Sequence, residues 1–161
     1  MTTDEYNKSV ELYADRLYRF VLKNVGDPEL AKDVVQETYI KVWERKEQVI
    51  SLTVKSYLFT AAYRTMIDMI RRSKPSFDID QVAVTQHSYE PQNHDVKEIL
   101  ELAADKLPAA QKTVLILRDY EGYKYEEIAT ITGLTLDQVK VYLFRARKFL
   151  KNYLVSIETV L

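Results

Sequence analysis

The sequence predicts an all-α protein, built as two small helical domains joined by a flexible linker. Three observations carry that prediction. Apolar residues recur at helical spacing from about Asp4 to Ser73 and again from Asp95 onward, and no stretch alternates as a strand does. The 3 Gly and 4 Pro among 161 residues fall at the ends of these periodic segments or between them. Residues 75–94 hold two Pro, scattered polar side chains and no sustained period, the composition of a linker. The domains are therefore expected at 1–74 and 95–161, with the linker at 75–94. Fully extended, that linker reaches roughly 65–70 Å, near two turns of B-DNA.

The first helix is expected from Asp4 to Asn24, with Tyr6, Val10, Tyr13, Leu17 and Val21 in register. Gly26 ends it, and Asp27 and Pro28 supply an N-cap and a first-turn proline for the next. That second helix, about Pro28 to Glu47, should bury Ala31, Val34, Val35, Val42 and Trp43. A loop from Gln48 to Thr53 leads to a third helix ending near Ser73. Its broad apolar arc is Leu58, Phe59, Ala62, Tyr63, Met66, Met69 and Ile70. The remaining arc carries Tyr57, Thr60, Arg64, Asp68, Arg71 and Arg72. An aromatic followed by arginines along one face suits an unpaired base and a nucleic-acid backbone. A solvated helix face fits the same residues.

Past the linker, Val96, Ile99, Leu100 and Ala103 restore the helical period, and Pro108 opens a further helix to about Tyr120, closed by Gly122. A short helix then runs from Tyr125 to Thr132, turns at Gly133, and gives way to a long one. Thr135 and Gln138 stand three apart, so each can cover an orphan amide of the other at the long helix's start. Helix, Gly-containing turn and capped helix make a helix-turn-helix pattern, whose second helix enters a DNA major groove. At about 100° per residue, Val139, Tyr142, Leu143, Ala146, Leu150 and Tyr153 share one arc and should face a core. Opposite lie Val141, Phe144, Arg145, Lys148 and Asn152, flanked by Lys140, Arg147 and Lys151. A charged, solvated face is the competing reading, but such a face mixes signs and does not display Phe144. Basic residues for phosphates, with Val141 and Phe144 for thymine methyls, suit a groove-reading surface.

The net charge of −1 argues mildly against a nucleic-acid binder, but its distribution reverses that. Residues 38–74 carry +5 and residues 140–161 carry +4, separated by −6 over residues 75–105. Affinity for DNA depends on such local blocks rather than on the average. Zero Cys excludes disulfides, thiol redox sensing and Cys-ligated zinc. No apolar run approaches a membrane span, and the start, MTTDEYNKSV, lacks a signal peptide's features, so a cytoplasmic location without membrane insertion is expected.

Taken together, these residues resemble a family. DPELAKDVVQETYIKVW, followed by KSYLFTAAYRTMIDMIRR, resembles region 2 of bacterial RNA polymerase sigma factors. LPAAQKTVLILRDYEGYKYEEIATITGLTLDQVKVYLFRARKFL resembles their region 4. With two domains and a short linker the chain is most similar to the extracytoplasmic function group of the sigma-70 family. The resemblance implies a factor that binds core RNA polymerase and promoter DNA and directs promoter-specific initiation, with an anti-sigma factor as a further partner. It places core-polymerase binding on Asp33, Gln36 and Glu37, which lie three and four apart on one helix. It places capture of the melted downstream (minus-10) box on the loop Glu47 to Thr53 and on Tyr57, Arg64, Arg71 and Arg72. It places reading of the upstream (minus-35) box on Lys140, Val141, Phe144 and Arg145. Lys148 and Lys151 join them from the same exposed arc. Three departures stand out. Tyr63 and Arg64 replace the family's usual Arg-Asn pair, leaving Arg64 to stack or to bind phosphate. The loop lacks the usual Phe-Arg-Gly type sequence. Lys124 occupies the place of a capping Ser or Thr, so the short helix is expected to fray at its start.

Nothing in the sequence supports catalysis or a cofactor. His87 and His94 have no ligand set or placed carboxylate, and no Gly-rich phosphate loop occurs. Two other readings share the same residues: a promoter-binding regulator acting without polymerase, and a helical adaptor that binds only proteins. The regulator predicts tight duplex binding by the free protein, usually as a dimer on a palindrome. The adaptor predicts no salt-dependent DNA binding.

Overall fold

The computed structural model describes residues 1–73 and 95–160, so the linker expected at 75–94, with His87 and His94, lies outside the described residues. The described residues form helices α1 (Thr3–Val25), α2 (Pro28–Glu44), α3 (Val54–Ser73), α4 (Val96–Ala104), α5 (Ala109–Leu115), α6 (Tyr125–Thr132) and α7 (Leu136–Val160), with no strand among them. Two short 3₁₀ turns, Lys46–Gln48 and Ser51–Thr53, occupy the loop between α2 and α3. The chain divides into two compact units, the first built on α1–α3 and the second holding α4, α5 and α7.

In the first unit the boundaries follow the local signals. Thr2 and Glu5 cap α1 reciprocally, and Gly26, at φ 73°, closes it with its N–H on the Leu22 carbonyl. Asp27 then accepts the N–H groups of Glu29 and Leu30 to start α2 behind Pro28. Leu17, Phe20 and Val21 of α1, Ala31, Val34 and Val42 of α2, and Leu58, Phe59 and Ala62 of α3 are buried to within one per cent. Phe20 and Phe59 meet edge to face, ring centroids 5.3 Å apart. Two tyrosines lace α1 to α2: the Tyr6 hydroxyl donates to the Tyr39 carbonyl and the Tyr39 hydroxyl to the Ser9 carbonyl, each at 3.0 Å.

Three expectations for α2 fail. The helix stops at Glu44 rather than Glu47, where Arg45 leaves helical geometry at φ −113°, ψ 15°. Trp43 is not a core residue: 43% of it is exposed. It rests against the Tyr6 ring at 4.9 Å, with the Lys46 ammonium 4.0 Å from its own ring centroid. Val35 is likewise only half-buried.

In the second unit Asp95 caps α4 by accepting the Glu98 N–H at 2.9 Å. Val96, read from the period as apolar-facing, is exposed. The helix expected from Pro108 to Tyr120 is α5 followed by a π-helical turn, Ile116–Tyr120. Lys112 is buried between α5 and the end of α4, its ammonium 2.7 Å from the Asp105 carboxylate. Desolvation lowers its pKa from the ordinary lysine value, against the pull of that carboxylate. The core of this unit includes Ile99, Ala103, Leu107, Val114, Leu117, Val139, Leu143 and Ala146.

Candidate nucleic-acid interface

The long helix α7 begins where the sequence placed it. Gly133 takes φ 77°, a left-handed conformation that lets the chain turn sharply after α6. Thr135 N–H donates to Gln138 Oε1 at 2.9 Å and Gln138 N–H to Thr135 Oγ1 at 3.1 Å, a complete capping box. The start of α6 does not lack a partner: Glu127 accepts the Lys124 N–H at 3.0 Å, so a carboxylate supplies half of the expected cap.

With α7 so fixed, Val139, Leu143 and Ala146 face inward and are buried. Lys140, Val141, Phe144, Arg145, Lys148 and Lys151 are all exposed, Phe144 to 66%. A phenylalanine left that exposed forgoes the stabilisation that burial would give, and its neighbours here are cations. A shallow groove of about 430 Å³ runs along this flank, lined by Tyr125, Lys140, Phe144, Arg147, Lys148 and Lys151 among others. Its charge is cationic with one qualification, which periodicity did not reveal. Arg147 Nη2 donates to Asp119 Oδ1 at 2.5 Å and Nε to Oδ2 at 3.3 Å.

A second groove, about 410 Å³, lies between α2 and α3 in the first unit. Tyr57, Thr60, Arg64 and Asp68 line it from α3, Lys41 and Glu44 from α2, and Arg45 from just past the end of α2. The Lys41 ammonium is held by Thr65 Oγ1 at 3.3 Å. The structure thus brings Tyr57 and Arg64 together with two cations that the sequence reading had not grouped with them. Arg71 and Arg72 are exposed near the end of α3 and do not line this groove. On α2, Asp33 and Gln36 are exposed and Glu37 is half-buried. Ile40, one turn further along, is 54% exposed.

Family models resolve what these surfaces belong to. The model for sigma-70 region 2 matches residues 10–75, and that for sigma-70 region 4 matches residues 97–150. The RNA polymerase sigma factor SigV of Bacillus subtilis (strain 168) is 36% identical over 140 residues, which cover 86% of this chain and 84% of that protein. The ECF RNA polymerase sigma factor SigM of the same organism is 30% identical over 156 residues, 94% of each chain. The chain belongs to the extracytoplasmic function group of the sigma-70 family. The fold agrees: the sigma factor RpoE from Bartonella quintana, solved with the anti-sigma factor NepR, superposes with a TM-score of 0.73 at 23% identity, covering 94% of this chain and 98% of that one.

As a sigma factor the protein is a non-enzymatic initiation factor that works with core RNA polymerase and promoter DNA to direct promoter-specific transcription. Region 2 of this sigma factor contains the α2–α3 groove and the Asp33, Gln36, Glu37 face. Region 4 contains the helix-turn-helix. Among the described residues no cluster of His, Asp or Glu is arranged to hold a metal, and no helix is long and apolar enough to cross a membrane.

Proposed function

We propose that this sigma factor reads its promoter with two surfaces, one on each domain, and docks on core polymerase with a third. The upstream box is read by α7, where Val141, Phe144 and Arg145 meet base edges and Lys140, Lys148 and Lys151 meet phosphates. The exposed cationic arc centred on Phe144 is the observation that supports this reading best. The melted downstream box occupies the α2–α3 groove, with Tyr57 as a stacking platform and Lys41, Arg45 and Arg64 on the backbone. Arg71 and Arg72 extend the cationic track along α3, and the loop Glu47 to Thr53, with the almost fully exposed Leu52, borders the displaced base. Core polymerase is met by Asp33, Gln36 and Glu37, with the exposed Ile40 adding apolar area to that face.

The working division is 1–74 and 95–161 with a connecting segment at 75–94, which lets the two promoter boxes be engaged at once. The site of action is the cytoplasm, where polymerase resides. An anti-sigma factor is a further partner, as one is for the structurally similar RpoE. The test is a gel shift on promoter duplex with and without core enzyme. Retardation that requires core enzyme is expected. Tight, palindrome-dependent binding by the free chain would favour a polymerase-independent regulator, and no salt-dependent DNA binding under either condition would leave only a protein adaptor.

A further inference from the structure

The cationic flank of α7 contains one arginine that is already spoken for. The π-helical turn Ile116–Tyr120 closes with the Glu121 N–H on the Ile116 carbonyl at 3.0 Å and the Tyr123 N–H on the Leu117 carbonyl at 3.0 Å. It aims two neighbouring side chains in different directions. Arg118 donates to the Tyr123 carbonyl at 2.9 Å and lies over the Tyr125 ring, 4.7 Å from its centroid. Asp119 faces α7 and takes both the Nε and the Nη2 of Arg147. That edge of the guanidinium is one that grips an anion bidentately, and a carboxylate fills it. The pair is half-open to solvent, with side-chain exposures of 49% and 37%. A phosphate approaching Arg147 therefore finds that edge of the guanidinium already held by an aspartate.

We infer that Asp119 is a positioning residue that withholds Arg147 from the DNA backbone and so restrains sequence-independent binding by region 4. Lys140, Lys148 and Lys151 attract any DNA, and a genome offers far more non-specific sites than promoters. Neutralising one further cation lowers that background without touching a base-reading side chain. The inference rests on α7 being the DNA-facing helix.

Holoenzyme assembled with the full chain is titrated with duplex carrying the upstream box, and with a scrambled duplex, across a range of salt concentrations. Asp119→Asn removes the anion and keeps the shape. It should bind both duplexes more tightly at low salt and steepen the dependence of log K on log salt by about 0.9, the signature of one more phosphate contact. Its gain over wild type should shrink about three-fold for each four-fold rise in salt. Arg147→Gln alone should leave the slope near wild type, and the double variant should lose the steepening. A merely structural role for the pair moves stability but not this slope. An unchanged slope in Asp119→Asn, or a shallower one in Arg147→Gln alone, overturns the inference. The second outcome stands even if Asp119→Asn folds poorly. Lys151→Ala separates the layers: if it lowers the slope by about one while Asp119→Asn does nothing, only the role of Asp119 fails. If no variant moves the slope, the assignment of α7 to DNA fails with it.

Discussion

At the scale of single residues, Arg145 and Lys151 should divide the work of α7. Arg145 lies near the centre of the arc opposite the core, is exposed, and presents a planar fork suited to the O6 and N7 of a guanine. Lys151 lies a turn and a half further along, towards the edge of the arc, as a point charge. Arg145→Ala should cost about 1–3 kcal/mol on the true promoter and relax preference at one upstream-box position. Lys151→Ala should weaken binding evenly across sequences. Holoenzyme binding to a randomised upstream box measures both. Equal losses on every variant for Arg145→Ala would make it a phosphate contact and reorient the helix in the groove.

At the scale of elements, what could be read from the sequence was what is local in it. The helix-turn-helix appears at its expected residues because its determinants are a left-handed Gly133 and a cap whose partners stand three apart. The exposed arc of α7 follows from that start plus the helical period. Arg147–Asp119, Lys41–Thr65 and Tyr39–Ser9 join residues 28, 24 and 30 apart, and no periodicity brings such pairs together. For the same reason the sequence alone does not group Lys41 and Arg45 with Tyr57 and Arg64. The end of α2 was misplaced because neither Gly nor Pro follows Glu44 to mark it. The period alone does not place Trp43, because Tyr6 and Lys46 pack on its ring at the edge of the core.

The Tyr39 lacing between α1 and α2 also makes a pH prediction. Burial pushes its hydroxyl well above the ordinary tyrosine value of 10.0. The folded form therefore holds this proton more tightly than the unfolded chain. The resulting stability is fully present below about pH 10 and is lost as pH rises through the folded value. Tyr39→Phe should lose about 1 kcal/mol at neutral pH with its hydrogen bond to Ser9. It should also flatten part of the alkaline decline, leaving the share carried by Tyr6, whose pKa is raised by burial as well. Thermal midpoints of the two proteins at neutral pH and about pH 11 measure this; parallel declines would mean that Tyr39 does not hold its proton in the fold.

At the scale of the whole molecule, each unit has its own small core, and a domain of about 60 residues buries only about 60% of its unfolded surface. Stability then depends on partners, since a ligand that binds only the folded form raises the unfolding midpoint. Core polymerase should raise the midpoint of the first unit when the Asp33, Gln36 and Glu37 face is intact. Replacing all three by Ala should leave circular dichroism unchanged and abolish both core binding and that shift. A well-folded triple variant with undiminished affinity would place the polymerase contact elsewhere.

The turn at Gly133 carries a consequence of handedness. A β-carbon built there in the L configuration meets nothing within 4 Å, so the surrounding space is open and the obstacle to any other residue is torsional. Its φ of +77° is disfavoured for an L residue and natural for its mirror image. D-alanine introduced at this position by chemical ligation should therefore fit without strain. By restricting the unfolded chain it should stabilise the helix-turn-helix by about 0.4–1 kcal/mol, whereas L-alanine should destabilise it. The difference in unfolding midpoint between the two stereoisomers reads the torsional cost of this turn directly, because their composition, volume and charge are identical.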